Sequence, residues 1–195
     1  MLYRFFAKET FDSVDVVLTQ VFEALGLKFS DLKIKKQPAT YSKPYQYMVE
    51  GVLKGKHFVL SLSSSALKEK TIKQQVELVL QCENPRWTVV DIYPKALSKE
   101  GKTMVLDLEL VDGLPLLTNH GLLIASNQQS FIEQAFDEEF CEELTQLARL
   151  NFTSLGVERK RLYYKGLDLP TDTAKGNALI KVIKIGMTLI EKIDH

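Results

Sequence analysis

From Tyr45 to Val111, polar and apolar residues alternate with a period of two, the spacing of strands that bury one face. Tyr45, Tyr47, Val49 and Leu53 alternate with Gln46, Met48 and Glu50. After a turn at Lys54-Gly55-Lys56 the apolar set resumes at Phe58, Leu60 and Leu62, which marks a hairpin with glycine at its tip. A third run sets Val76, Leu78, Leu80 and Cys82 against Gln75, Glu77, Val79 and Gln81. Asn84-Pro85 turns the chain into a fourth strand from Trp87 to Tyr93. A fifth places Met104, Leu106, Leu108 and Leu110 opposite Thr103, Asp107 and Glu109. Hairpin-length connections predict a contiguous antiparallel meander, and its single apolar face requires helices over it.

Helical spacing governs the flanks. Val14, Val17, Leu18, Val21, Phe22 and Leu25 form one stripe, with Asp12-Ser13 as the expected N-cap and Gly26 as the stop. Asp31–Lys36 alternates and reads as a short edge strand whose lysines discourage further pairing, and Gln37–Pro44 reads as a loop. Beyond Gly113, Gly121–Ala125 reads as a short buried strand. Gln129–Phe136 and Asp137–Leu150 follow as helical pieces, with Phe136, Phe140, Cys141, Leu144, Leu147 and Ala148 inward. Strands are expected around Phe152–Val157 and Lys160–Lys165, and Thr171 or Asp172 caps a last helix. The fold class is α+β: an antiparallel meander of about five or more strands, one face covered by helices in two layers. Residues 1–195 read as one domain, with a change of character near 113–128.

The last helix is unusual. Asn177, Lys181, Lys184, Thr188, Glu191 and His195 draw one narrow polar stripe, and nearly everything else is apolar. A helix covering one face of a sheet needs an apolar arc of only ~100°. This one is predicted to be embedded on several sides, by the rest of the fold, a ligand or a second subunit. Ile183, Met187 and Ile190 are therefore candidate binding residues. The order of elements, a curved sheet followed by a long apolar helix, resembles a helix-grip arrangement. That resemblance implies a cavity for a small apolar ligand between sheet and helix.

Charge and chemistry narrow the function. Lys plus Arg and Asp plus Glu balance at 25 each, so no whole-chain field draws in nucleic acid or an anionic membrane. No window approaches the ~18–20 apolar residues of a membrane span, and Arg4 and Lys8 interrupt the N-terminal apolar stretch that a secretory signal needs. Cys82 and Cys141 fall on apolar stripes, which fits reduced thiols in a cytoplasmic core. His57, His120 and His195 share no ligand spacing and no C-x-x-C occurs, so no metal is expected. Phosphate-loop patterns are missing too, and no cofactor is expected. Around Cys141 stand Asp137, Glu138, Glu139, Glu142 and Glu143, which oppose a thiolate. Asp107 and Glu109 share a strand face, and Asp91 lies near them if its strand is adjacent, an arrangement suited to acid–base work or a hard cation. Alternating charges on a solvated sheet face are the commoner origin of such a set. The segment Glu158–Lys165 puts Arg159, Arg161, Tyr163 and Lys165 on one face, where cations and an aromatic ring can hold an anion, or pair with the acids of 137–143. The expectation is a non-catalytic interaction or scaffold module that meets a protein partner or its own copy through the last helix or an exposed sheet face. A small apolar ligand binder is the alternative.

Overall fold

The computed structural model describes residues 2–37, 45–66, 72–98 and 108–195. The first helix, α1, runs Leu2–Ala24 and starts well before Asp12-Ser13, which lie inside it. It ends as the glycine predicts: Leu27 N–H donates to Phe22 O and Gly26 N–H to Glu23 O, both at 2.9 Å, the paired bonds of a Schellman cap. Strands β1 (Lys33–Gln37), β2 (Tyr45–Leu53), β3 (Lys56–Ala66) and β4 (Ile72–Gln81) follow. Then come β5 (Val90–Pro94), β6 (Glu109–Leu110), α2 (Pro115–Asn119) and β7 (Leu122–Ser126). The chain continues through α3 (Gln129–Ala135), α4 (Glu138–Thr145), β8 (Phe152–Glu158), β9 (Arg161–Gly166) and α5 (Thr173–Asp194). The class is α+β, with nine strands among the described residues in an antiparallel sheet and a long C-terminal helix.

The chain forms two compact units. The first comprises residues 1–79 and 166–181, the second 80–165 and 182–195.

In the first unit the strand order is β1-β2-β3-β4, with β1 at the edge. Lys54 and Gly55 both have positive φ (48° and 80°), so β2 and β3 join through a two-residue type I′ turn, with Leu53 opposite Lys56. Tyr47, Val49, Phe58, Leu60, Leu62, Val76 and Leu78 are buried, as the alternation requires. The stripe of α1 meets them: the Phe22 ring stacks on Phe58 at 5.3 Å. Tyr47 donates to the Asp15 carboxylate, which also takes Lys36, and burial pushes the Tyr47 phenol well up. Asp172 caps α5 by accepting from Lys175 N at 2.9 Å.

In the second unit the order, from the end of β4, is β9-β8-β5-β7-β6. The meander therefore does not continue from β4 to β5, because the β8–β9 hairpin stands between them. The predicted fourth strand begins only at Val90, leaving Trp87 outside it. Of the predicted fifth strand, residues 103–107 with Leu106 and Asp107 lie outside the described residues, as does the loop at 38–44. Leu108 is half-buried rather than core. Phe140, Cys141 and Leu144 of α4 are buried, as are Phe136 just after α3 and Leu147 in the 3-10 turn after α4, whereas Ala148 is exposed. Asp137 caps α4 by accepting from Phe140 N and pairs with Lys192 at 2.5 Å, so it is not the partner of the basic segment.

The apolar breadth of α5 is covered within the chain. Ile183, Met187 and Ile190 are buried, so they present no face to a partner. Gly176 lies against Val17 and Val21, and Gly186 lies against Leu162 and Leu80, where an added Cβ would stand 3.2 Å and 3.8 Å from their side chains. At Gly186 the helix backbone rests directly on the strands, and the space expected for an apolar ligand is filled there.

Candidate functional site: a braced tryptophan loop

Because β9 and β8 intervene between β4 and β5, residues 82–89 must cross the end of the β8–β9 hairpin. Asn84 makes that crossing rigid. It is buried, with φ +45° in the left-handed region that asparagine tolerates. Its amide donates to Thr88 O at 2.8 Å and to Arg159 O at 2.6 Å, and its Oδ1 accepts from Thr88 N at 2.9 Å. Asp194 Oδ1 accepts from Glu83 N and Asn84 N, both at 3.0 Å, and Cys82 N donates to Lys160 O at 3.1 Å.

The far side of the loop is held as firmly. Asn127 accepts from Val89 N at 2.7 Å and donates to Trp87 O at 3.2 Å. Gln128 donates to Arg86 O at 2.8 Å, and Ser126 Oγ donates to Val89 O at 2.8 Å. Arg86 lies over the Phe131 ring at 4.8 Å and donates to the main-chain oxygen of His195 at 2.8 Å.

These contacts present Trp87, the chain's one tryptophan, with 63% of its surface exposed and φ +54°. A bulky side chain in the left-handed region costs ~1–2 kcal/mol and persists only where its surroundings fix it. Arg159, at φ +55° in the β8–β9 turn, joins the same corner. A cleft of about 500 Å³ beside the loop is lined by Glu109, Asn127, Gln128, Gln129 and Phe131. Its side-chain amides are already engaged, those of Asn127 and Gln128 in bracing the loop and that of Gln129 on Leu110 O.

The predicted basic face is partly assembled. Arg161, Tyr163 and Lys165 share one face of β9, while Arg159 sits in the turn before it. Tyr163 does not point to solvent as a stacking platform. Its hydroxyl donates to Asp91 Oδ1 at 3.1 Å, crossing Gly156, the residue opposite Asp91 on β8. A Cβ on Gly156 would stand 2.1 Å from Val90 O and 2.7 Å from the Tyr163 oxygen, so only glycine leaves this passage open. Asp91 is 2% exposed, and burial pushes its carboxyl up to about 6, against the opposing pull of the Tyr163 hydrogen bond and the Lys165 charge. Burial also raises the Tyr163 phenol, helped by Asp91. Glu109 pairs with Ser126 and Asp91 with Ala125, the next residue of β7, so Glu109 faces the opposite side of the sheet from Asp91. Asp91 and Glu109 therefore form no carboxylate pair, and Asp107 lies outside the described residues. Among the described residues no cluster of His, Cys, Asp or Glu could hold a metal ion.

The alternation places Trp87 at the start of the fourth strand, whereas it stands in the loop before β5. The usable signal was the flanking Asn84-Pro85 turn and the polar neighbours Arg86 and Thr88. No helix among the described residues is long and apolar enough to cross a membrane. No family model matches the chain, and no curated protein matches it. Among solved structures, the mycobacterial trehalose monomycolate transport factor A is similar, at a TM-score of 0.49 and 12% identity over 89% of this chain and 90% of that one. A similarity of that size transfers neither fold nor activity.

Proposed function

We propose that this protein is a non-catalytic cytoplasmic interaction module that docks a protein partner through the Trp87 loop. One observation carries the reading: a fully braced loop in an unfavourable backbone conformation holds the chain's sole tryptophan out to solvent. Tryptophan and arginine dominate the energetics of protein interfaces, and a fixed loop loses little entropy on docking. The chemistry elsewhere supports a non-catalytic role. Burial, with Asp137 adding to it, pushes the Cys141 thiol up, which suits core packing and not a nucleophile.

The test replaces Trp87 with Asn, which removes the ring yet tolerates the left-handed backbone. Wild type and Trp87→Asn are immobilised and challenged with extract of the source cells. A partner held stoichiometrically by wild type should bind the variant roughly 30-fold more weakly, the ~2 kcal/mol of an interface hot spot, with far-ultraviolet circular dichroism unchanged. Equal retention by both proteins overturns the proposal.

A further inference from the structure

We infer that the segment docking at the Trp87 loop is acidic, its carboxylates received by Arg159 and Arg161 while Trp87 takes an apolar side chain; this rests on the interaction reading above. The Asn84 amide ties the Trp87 turn to Arg159 through one 2.6 Å hydrogen bond, so the tryptophan and the β8–β9 turn form one rigid corner. That corner carries Arg86, Arg159, Lys160 and Arg161 against Glu83, Glu158 and Asp194.

Four cations stand against three acids, an excess of one. Asp194 keeps its charge while its Oδ1 accepts from the Glu83 and Asn84 N–H groups, so the weakly paired cations are those that share Glu158. Glu158 alone serves two guanidiniums, at 3.9 Å from Arg159 and 3.7 Å from Arg161, longer than a charge-assisted hydrogen bond. The Arg159 and Arg161 side chains remain 77% and 56% exposed. Arginine's planar fork matches a carboxylate bidentately, and such complementarity fixes register and speeds encounter. The chain as a whole is neutral, with 25 cations and 25 acids. A nucleic acid or an anionic bilayer calls for a broad basic surface, whereas a short acidic segment needs only a few fixed cations beside an anchor.

Trp87 is its own reporter, since no other tryptophan contributes to the emission. A short fluorescein-labelled poly-L-glutamate is titrated at low and physiological salt. Poly-L-lysine, a single-stranded oligodeoxynucleotide and phosphatidylglycerol vesicles are run in parallel. Poly-L-glutamate alone should bind, changing Trp87 emission and weakening at least tenfold with added salt. The double variant Arg159→Asn and Arg161→Gln keeps an αL-tolerant residue in the turn and should lower affinity at least tenfold, with an unchanged urea midpoint. No poly-L-glutamate binding at low salt, binding indifferent to the double variant, or binding only of the oligonucleotide or vesicles overturns the inference. Loss of the cellular partner by Trp87→Asn but not by the double variant would sink the acidic segment and leave the interaction reading standing.

Discussion

Replacing Asp91 with asparagine tests the electrostatics of the second unit directly. Asp91 is enclosed, and its carboxyl is lifted from 3.8 to about 6, chiefly by burial. At ~1.4 kcal/mol for each tenfold change in proton affinity, keeping this group ionised in the fold costs about 3 kcal/mol at neutral pH. The folded state binds the proton more tightly than the unfolded one. Between pH 3.8 and about 6 the native protein therefore carries more protons, and stability falls as pH rises through that window. The contribution is fully present below the unfolded value and lost above about 6. The amide introduced by Asp91→Asn does not titrate, and its oxygen still accepts from the Tyr163 hydroxyl. Other groups, such as Asp137 and Asp172, whose carboxyls their hydrogen bonds lower, behave alike in both proteins and cancel. Urea unfolding from pH 3.5 to 7.5 should show wild type losing about 3 kcal/mol relative to Asp91→Asn as pH rises, nearly all below about pH 6.5. A difference independent of pH would mean that Asp91 is hydrated, and the burial argument would fail.

Removing the phenol with Tyr163→Phe takes away a hydrogen bond to the ionised carboxylate, so the same pH window should move upward, as followed by the carboxyl carbon shift of Asp91 in NMR. Gly176→Ala should cost ~1–3 kcal/mol in urea melts, because the new methyl would meet the stiff Val17 Cγ1 at 2.7 Å. Gly186→Ala meets the flexible Leu162 at 3.2 Å and gains helix propensity, so its midpoint should stay within ~1 kcal/mol of wild type. Asn84→Ala breaks the clamp on Thr88 and Arg159 and should destabilise by ~2–3 kcal/mol, with increased iodide quenching of Trp87. In the native protein Cys82 and Cys141, both buried and in no disulfide, should react with Ellman's reagent no faster than the chain unfolds.

The parts of this fold that could be read from residue order are those determined over short distances. The Lys54-Gly55 turn specifies the β2–β3 register, and every second residue after it faces where its polarity requires. The Asp137 and Asp172 caps are legible for the same reason, since each needs only the next three residues. Strand order is different. Nothing between Cys82 and Val89 states that a hairpin formed by residues 152–166 will stand between β4 and β5, because that arrangement depends on contacts far apart in the chain. The packing of α5 depends on distant residues in the same way: Gly186 rests against Leu162 and Leu80, which no local pattern assigns to it.

The site follows from that non-local strand order. Had β4 paired with β5, the residues between them would have made a tight hairpin turn, and Trp87 would have extended the strand. With β9 and β8 interposed, the connection must span the hairpin end, and backbone groups that a turn would have paired internally need other partners. Asn84, Asn127, Gln128 and Asp194 supply them. Once those groups are satisfied, the positive φ at Asn84, Trp87 and Arg159 can be sustained, and both the Trp87 and the Arg159 side chains are exposed. The folding requirement explains why the loop is rigid, though it does not require Trp87 to be tryptophan. At 63% exposure the ring fills no gap in the core, and a small polar residue would satisfy the same backbone. The choice of the most costly side chain to leave in water, in a loop hydrogen-bonded to the turn that carries the exposed Arg159, is what the interaction reading accounts for.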